Sequence, residues 1–261
     1  MKIKDVRITL LSLPYIEQPA LAKGYSRDRD ILVVEIETQS GHIGLGYQLY
    51  LREGFRTTKM CLEEIIVPRI IGRDASEVEG IWHDIYTTTA ADGRGGAQLL
   101  ALSAIDVALW DIVGQAAGMP LHRLWGHFRS EVPVYGSGVW RGLGGEGMAE
   151  KAKRFVDEGY RAVKSQVGHI WSDDQDVANT GMIRDAVGAN VDIMVDVNMA
   201  WTADKAIIMG KRLEEHDIYW LEEPVVPDDF AGYFRIADAL TTRVVGGESH
   251  FTRYDLRPFF E

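Results

Sequence analysis

Three acidic residues, Asp196, Glu222 and Glu248, stand at equal intervals of 26 residues, and each follows a short apolar run. A lysine, Lys164, follows a similar run 32 residues before Asp196. One strand, one helix and their loops in a (β/α) barrel take about 30 residues, because eight such units make a chain of about 250 residues. The spacing therefore predicts successive barrel units, with the four charged side chains at the carboxyl ends of parallel strands.

The pattern of the chain changes near residue 126, and this change predicts two domains. Before it, three strand-like segments are followed by three segments with apolar residues at helical spacing, which is typical of an α+β domain. After it, strands alternate with helices, as in parallel βαβ units. We predict an N-terminal α+β capping domain over residues 1–125 and a (β/α) TIM-type barrel over residues 126–261. We expect an incomplete barrel in this chain, with about five of the eight units.

Four local signals place individual elements. Residues 39–41 (Gln-Ser-Gly) predict a hairpin turn, and the apolar residues of 97–118 predict a mostly buried helix that ends at a glycine. The first barrel strand is predicted at residues 132–135. Thr202 is a favourable N-cap for the helix after the Asp196 strand.

The composition is that of a globular protein and narrows the choice of partners. The net charge of the 261 residues is −11, so we expect no nucleic acid partner, and an anionic substrate would need a local positive charge. Cys61 is the only cysteine, which fits a reducing compartment. The N-terminus lacks a signal-like apolar segment, and no apolar run approaches the roughly 20 residues of a membrane helix. We therefore expect no membrane association and a cytoplasmic location.

The residue types at the strand ends suit a cation. Asp196, Glu222 and Glu248 offer hard anionic oxygens, which select Mg²⁺, Ca²⁺ or Mn²⁺ over zinc, and an ion with open positions for substrate and water is best matched by Mg²⁺. Asn198 shares the strand face of Asp196, so its amide oxygen or nitrogen can orient that carboxylate. A single strand-end acid is more typical of a helix cap or a solvated loop charge. Three at constant spacing favour a site for one Mg²⁺ ion.

Lys164 and Gln166 also share one strand face. Alone, Lys164 is more typical of a surface lysine whose charge reaches water. Beside the acids it favours a functional role, because a neighbouring cation would lower its pKa and let it act as a base. His169 is interpreted as a loop residue.

Four motifs in fixed order carry a resemblance to a known family. They are residues 101–111 (ALSAIDVALWD), 195–198 (VDVN), 220–224 (WLEEP) and 246–248 (GGE). The whole chain resembles the enolase superfamily, in the mandelate racemase and muconate lactonizing enzyme-like group that includes sugar-acid dehydratases. The resemblance implies that Asp196, Glu222 and Glu248 bind one Mg²⁺ and that the protein forms a homo-oligomer. It also implies Lys164 as a catalytic residue.

The function implied is removal of the proton α to the carboxylate of a sugar acid, followed by β-elimination of water. Mg²⁺ would stabilise the ene-diolate that forms, and this chemistry is a known use of the metal in the superfamily. A racemase, epimerase or cycloisomerase would use the same intermediate, so these alternatives stay open. A catalytically incomplete acid-binding protein is a third alternative.

The sequence departs from the family pattern in two places. The pair of lysines on the second barrel strand reads Lys164-Ser165-Gln166, and glutamine cannot take a proton at neutral pH. The family's other base is a histidine on a later barrel strand, and the expected five units do not include it. Both departures leave the proton-transfer partner of Lys164 unassigned.

The N-terminal domain is expected to contribute substrate contacts. Tyr25 lies in the first loop and Tyr47 on the third strand, and their hydroxyl groups suit a polyhydroxy acid. Ordinary surface polarity explains the same residues about as well.

Overall fold

The computed structural model describes residues 1–15, 28–50 and 54–261. Contacts within the chain divide it into two compact units. Of the described residues, the first unit contains residues up to 131, and the second contains residues 132–261. Each unit has its own sheet.

The first unit begins with a three-stranded antiparallel sheet in the order β1-β2-β3. Its strands are β1 (Ile3–Pro14), β2 (Asp28–Thr38) and β3 (Ile43–Tyr50). The predicted hairpin turn is confirmed, because the Gly41 N–H donates to the Thr38 carbonyl at 3.1 Å and the Thr38 N–H donates to the His42 carbonyl at 2.9 Å. Alternate β2 residues are buried, so one face of this sheet supports the core.

Helices cover that face. They are α1 (Phe55–Met60), which continues through a π-helical turn (Cys61–Ile66) into α2 (Val67–Ile70), then α3 (Val78–Thr89), α4 (Gly96–Ala117) and α5 (Leu121–Leu124). The helix predicted to be mostly buried is α4, but only 10 of its 22 residues are buried. Gly118 ends it with a left-handed φ of 60°, as predicted. Within the described residues, α4 is the one helix long and apolar enough to cross a membrane, and 44% of its apolar window is buried. This corrects the expectation that no segment has that length and composition.

Small residues let α4 approach β3 closely. A Cβ on Gly46 would collide with the backbone oxygen of Ala104, and one on Gly44 would collide with that of Ala108. Ala104 and Ala108 are fully buried. The amino acids that make this contact are therefore those with the smallest side chains on both elements.

The second unit is a five-stranded parallel sheet whose strands follow chain order. The strands are β4 (Gly136–Val139), β5 (Ala162–Gln166), β6 (Asp192–Asp196), β7 (Ile218–Glu222) and β8 (Arg243–Val245). The helices between and after them are α6 (Gly144–Asp157), α7 (Asp173–Val187), α8 (Ala203–Glu214), α9 (Phe230–Ala239) and α10 (Thr252–Leu256). The predicted alternation of five strands with five helices is confirmed. Thr202 caps α8 by accepting from the Lys205 N–H at 3.4 Å, as predicted.

The position predicted for the first barrel strand is wrong. Residues 132–135 form no strand, and Val132 and Val134 are 66% and 65% exposed. The strand begins at Gly136, where the Phe155 ring of α6 packs so closely that a Cβ would collide with it. Strand propensity favours the valines, but close approach of a helix selects the glycine.

The register of the parallel strands aligns their carboxyl ends. Gln166 pairs with Asp196, Asp196 with Glu222, and Glu222 with Val245. Asp196 and Glu222 therefore lie along one edge of the sheet, as predicted. Lys164 stands two residues before the end of β5, and Glu248 lies three residues beyond β8, so the predicted strand-end position is wrong for these two. A continuous core of Val, Ile, Leu and Met side chains underlies the sheet.

At the opposite edge, one arginine binds the segments that lead into two strands. Arg184 of α7 donates to the carbonyls of Gly188 and Val191, both at 2.7 Å. It also donates to those of His216 at 3.0 Å and Asp217 at 2.9 Å. This side chain therefore fixes where β6 and β7 begin.

Gly46→Ala should destabilise the first unit. The added methyl group would press on the α4 backbone, so we expect the free energy of unfolding to fall by about 1–3 kcal/mol in urea denaturation. Gly80→Ala in α3 is the matched control, because its nearest neighbour would lie 3.6 Å away and alanine favours helix. Equal stability of the two variants would contradict the close-approach explanation.

Arg184→Met should destabilise the second unit. Four carbonyls would lose their donor, and we expect a loss of about 2–3 kcal/mol in the same measurement. Arg154→Met is the control, since that arginine is exposed on α6 and should change stability by less than about 0.5 kcal/mol. A loss no greater than that of the control would show that water replaces Arg184 without penalty.

Candidate active site

The strand ends of the second unit bring a lysine and two carboxylates together. The Lys164 Nζ lies 2.8 Å from Glu222 Oε1 and 3.5 Å from Asp196 Oδ2. The three side chains are only 13%, 12% and 5% exposed. Lys164 stands beside Met194 in the register, so its long side chain extends along the sheet to reach the carboxylates at the strand ends. The structure thus groups three residues that the sequence predicted.

Two opposing influences act on Lys164. Burial lowers its pKa, but the hydrogen bond to Glu222 and the charges of Asp196 and Glu222 outweigh burial, and the pKa lies above the usual 10.5. The lowering of the Lys164 pKa expected from the sequence requires a cation beside the lysine. In the structure, the carboxylates of Asp196 and Glu222 raise this pKa instead. With these neighbours, Lys164 is a protonated hydrogen-bond donor.

Aromatic rings cover one side of this cluster. The Trp220 Nε1 donates to Glu222 Oε2 at 3.0 Å, so the two Glu222 oxygens are held by different donors. Tyr135 contacts Trp220 edge to face at 5.5 Å, and its ring centroid is 5.9 Å from the Lys164 Nζ. The sequence motif contained Trp220 but gave no sign that its indole binds a carboxylate.

Asn198 holds the second carboxylate. Its backbone N–H and its Nδ2 donate to Asp196 Oδ1 at 2.9 and 2.8 Å. The side chain of Arg141 donates to Asn198 Oδ1. Burial raises the pKa of Asp196, while the charge of Lys164 opposes that rise. The orienting role expected for Asn198 is therefore present in the structure and is performed by the amide nitrogen.

Glu248 lies beyond the strand rather than at its end. β8 ends at Val245, and Gly247, with a φ of 131°, carries the chain onward to Glu248. The carboxylate remains exposed and accepts no hydrogen bond within the described residues. Partial desolvation, followed by the negative charges of Asp196 and Glu223, raises its pKa to about 7.

The carboxylates fit a cation in chemistry and charge. Asp196, Glu222 and Glu248 supply hard oxygen ligands, and the charges of Asp196 and Glu222 raise the pKa of Glu248. A divalent cation would relieve that repulsion. In the part of the chain that the structure describes, no three His, Cys, Asp or Glu side chains are close enough together to enclose a metal ion. Their joint role as ligands therefore stays a prediction.

A buried glutamate, Glu223, supports the Glu248 loop. Glu223 is fully buried, and its carboxylate accepts from the backbone N–H of Ser249 at 3.1 Å and from its hydroxyl at 3.0 Å. Its backbone has a φ of 38°, and the neighbouring loop residues Asn198 and Met199 have φ values of 48° and 63°. Such left-handed conformations are uncommon outside glycine and cluster at functional sites. The sequence motif included Glu223 without indicating this role.

The other predicted residues have different surroundings. Gln166 is half-buried at the end of β5 beside Asp196, and no hydrogen bond of its side chain is present within the described ranges. The His169 Nε2 lies 2.9 Å from the Asn198 carbonyl oxygen and donates a hydrogen bond to it, which connects the loop after β5 to the loop after β6. Tyr47 is 60% exposed on β3 of the first unit. Tyr25 lies outside the described residues.

Family models match both parts of the chain. One described as the mandelate racemase / muconate lactonizing enzyme N-terminal domain matches residues 11–126, and one described as enolase C-terminal domain-like matches residues 147–261. These matches agree with an N-terminal domain followed by a C-terminal barrel-type domain.

Individual relatives are enzymes that act on sugar acids. A 3,6-anhydro-alpha-L-galactonate cycloisomerase from Streptomyces coelicolor is 35% identical over 89% of this chain and 64% of its own length. An arabinonate dehydratase from Saccharolobus solfataricus is 32% identical over 97% of this chain and 69% of its own length. The chain thus spans about two thirds of the length of these curated relatives.

A solved structure shares the fold. It is a racemase from Streptomyces coelicolor with bound magnesium, 34% identical, with a TM-score of 0.93 over 98% of this chain and 72% of that protein. The resemblance inferred from the four motifs is confirmed. This chain belongs to the mandelate racemase and muconate lactonizing enzyme family of the enolase superfamily.

Proposed function

We propose that this protein takes part in Mg²⁺-dependent abstraction of the proton α to the carboxylate of a sugar acid, followed by β-elimination of water. The observation that carries the proposal is the cluster of Lys164, Asp196 and Glu222 at the carboxyl edge of a parallel sheet. That edge is where barrel enzymes place their chemistry. The dehydratase among the relatives supports this reaction class.

In this proposal Asp196, Glu222 and Glu248 hold one Mg²⁺ ion. When bound, the ion supplies Lewis-acid stabilisation of the negative charge that develops on the substrate carboxylate. It also gives an acidic protein of net charge −11 a local positive charge for an anionic substrate. Asn198 keeps Asp196 in position through two hydrogen bonds.

Lys164 has one of two roles in this proposal. Its Nζ donates a hydrogen bond to a substrate oxygen that gains negative charge, or it exchanges a proton with the substrate once the bound ion lowers its pKa. Trp220 and Tyr135 exclude water from one side and hold the lysine and Glu222 in place. Acid-base exchange by Lys164 requires its contact with Glu222 to loosen.

Gln166 can orient a substrate oxygen but cannot take the proton. Within the described residues, the group that completes proton transfer with Lys164 is unassigned. Four further expectations stay predictions: that the barrel in this chain is incomplete, that Tyr25 and Tyr47 contact the substrate, that the protein is a homo-oligomer, and that it is located in the cytoplasm.

Cycloisomerisation is the second candidate. The relative that is 35% identical is a cycloisomerase, and this reaction would use the same ene-diolate. The two reactions differ in whether the intermediate expels water or undergoes ring chemistry. An acid-binding protein without turnover is the third candidate, which Gln166 favours.

Glu222→Gln should weaken Mg²⁺ binding. The substitution replaces a charged carboxylate by a neutral amide, whose oxygen is a weaker ligand. We expect the affinity measured by isothermal titration calorimetry to fall by at least about tenfold, because even outer partners of metal ligands change affinity by about 10- to 100-fold. Glu150→Gln on the exposed face of α6 is the control and should bind as the unchanged protein does. Equal affinity of the two variants would remove Glu222 from the site.

Incubation with a library of sugar acids in deuterated water should separate the candidates. We expect a 2-keto-3-deoxy acid in the carbon NMR spectrum with Mg²⁺ present, whereas a lactone, a ring-opened product or an epimer would favour the isomerase alternatives. Lys164→Met should lose turnover, while Lys153→Met, which removes an exposed lysine paired with Asp157, should keep it. Absence of both product and α-deuterium exchange with every acid would leave the acid-binding alternative.

A further inference from the structure

A buried arginine lies beside the candidate site. Arg141, in the turn that follows β4, is only 2% exposed and is the largest fully buried side chain of the described residues. Its backbone carbonyl accepts from the Trp171 Nε1 at 2.7 Å, which ties the turn to the loop after β5. A buried guanidinium is stable only with partners that satisfy its charge and its donors. The partners of Arg141 therefore indicate its role.

One partner is the side-chain oxygen of Asn198. A guanidinium has donors and no acceptor, so it selects the orientation of the Asn198 amide in which the oxygen faces the arginine. The Nδ2 of the same amide then faces Asp196 and donates to Oδ1 at 2.8 Å. With the opposite orientation, the amide oxygen would face a carboxylate oxygen, and the two would repel each other.

The orientation of Asn198 gives the two carboxylate oxygens of Asp196 different partners. Oδ1 accepts both the backbone N–H and the Nδ2 of Asn198. Oδ2 is left facing Lys164, 3.5 Å from its Nζ. The oxygen directed toward the candidate site is therefore Oδ2.

A second buried carboxylate, Asp176, lies within the electrostatic influence of Arg141. Asp176 is 1% exposed, and its Oδ2 accepts from the Gly168 N–H at 2.8 Å. Burial raises the pKa of Asp176 to about 6, and the charge of Arg141 opposes that rise, as it also does at Asp196. The charge of Arg141 therefore favours the ionised form of Asp176.

We propose that Arg141 is a positioning residue, which acts through Asn198 to fix the oxygen of Asp196 that faces the site. Direct binding of substrate by Arg141 does not fit its 2% exposure. The orientation of Asn198 stands on the geometry of this chain alone. Its consequence for Mg²⁺ rests on the proposed function.

The first test needs no metal. In NMR spectra of the ¹⁵N-labelled protein, the Asn198 side-chain NH₂ signals are assigned by their loss in Asn198→Asp. In Arg141→Met we expect these signals to shift and to exchange faster with water, because the amide is free to rotate away from Asp196. Unchanged signals would overturn the proposal. Arg184→Met, which removes an arginine at the other edge of the sheet, should leave them in place.

The second test uses the direction of the change in Mg²⁺ affinity. Loss of a nearby positive charge by itself would strengthen binding of a cation. Loss of positioning would weaken it, and we expect Arg141→Met to weaken binding by about tenfold, as removal of outer partners of metal ligands does. Unchanged or tighter binding would overturn the proposal.

A double-mutant cycle separates positioning from general damage to the fold. If Arg141 acts through Asn198, Arg141→Met should weaken Mg²⁺ binding no further in a protein that already carries Asn198→Ala. Losses that add would show an effect by another route and overturn the proposal. If the unchanged protein binds no Mg²⁺, the proposed function fails, and the metal-free spectra still decide the role of Arg141.

A second variant covers the case in which Arg141→Met does not fold. The pair Arg141→Met and Asp176→Asn removes both buried charges together, and the asparagine keeps an acceptor for the Gly168 N–H. We expect the pair to move the Asn198 signals as Arg141→Met does and Asp176→Asn alone to leave them unchanged. The reverse result would assign the effect to Asp176 and overturn the proposal.

Discussion

The register of the parallel strands is the constraint on which the candidate site depends. Gln166, Asp196, Glu222 and Val245 pair in a row, so residues far apart in the chain become neighbours at one edge. Side chains alternate between the two faces of a strand, and a slip of one residue would turn Asp196 away from Lys164. The apolar core beneath the sheet and the carbonyl contacts of Arg184 oppose such a slip at the other edge.

The same register gathers like charges, which by itself is destabilising. Asp196 and Glu222 stand side by side, and the negative charges around Glu248 contribute to its raised pKa of about 7. Lys164 offsets part of this repulsion through its contacts with both carboxylates, and the charge of Arg141 makes a smaller contribution at Asp196. Perturbed pKa values of this kind cluster at functional sites.

Much of the site follows from the sequence, because its main signal is periodic. Regular spacing after apolar runs is enough to place Lys164, Asp196 and Glu222 together, and the two-residue offset is enough to place Asn198 beside Asp196. Strand propensity predicts the wrong start for the first strand, because the close approach of the Phe155 ring to Gly136 is a tertiary contact that propensity does not include. Arg141 has no such signal, since it lies in a glycine-rich turn 57 residues from Asn198. A contact between residues so far apart in the sequence forms only when the strands between them are assembled into the sheet.

Loop-to-loop hydrogen bonds make the rim of the sheet one connected structure. Arg141 joins the turn after β4 to Asn198 after β6, and the Met199 N–H joins that loop to the Glu223 carbonyl after β7 at 2.7 Å. Glu223 in turn binds Ser249, next to Glu248 after β8. The left-handed backbone at Asn198 and Glu223 is unfavourable in isolation, and these bonds hold it in place. The positions of Asp196, Glu222 and Glu248 are therefore set by the loops of neighbouring strands as well as by their own strands.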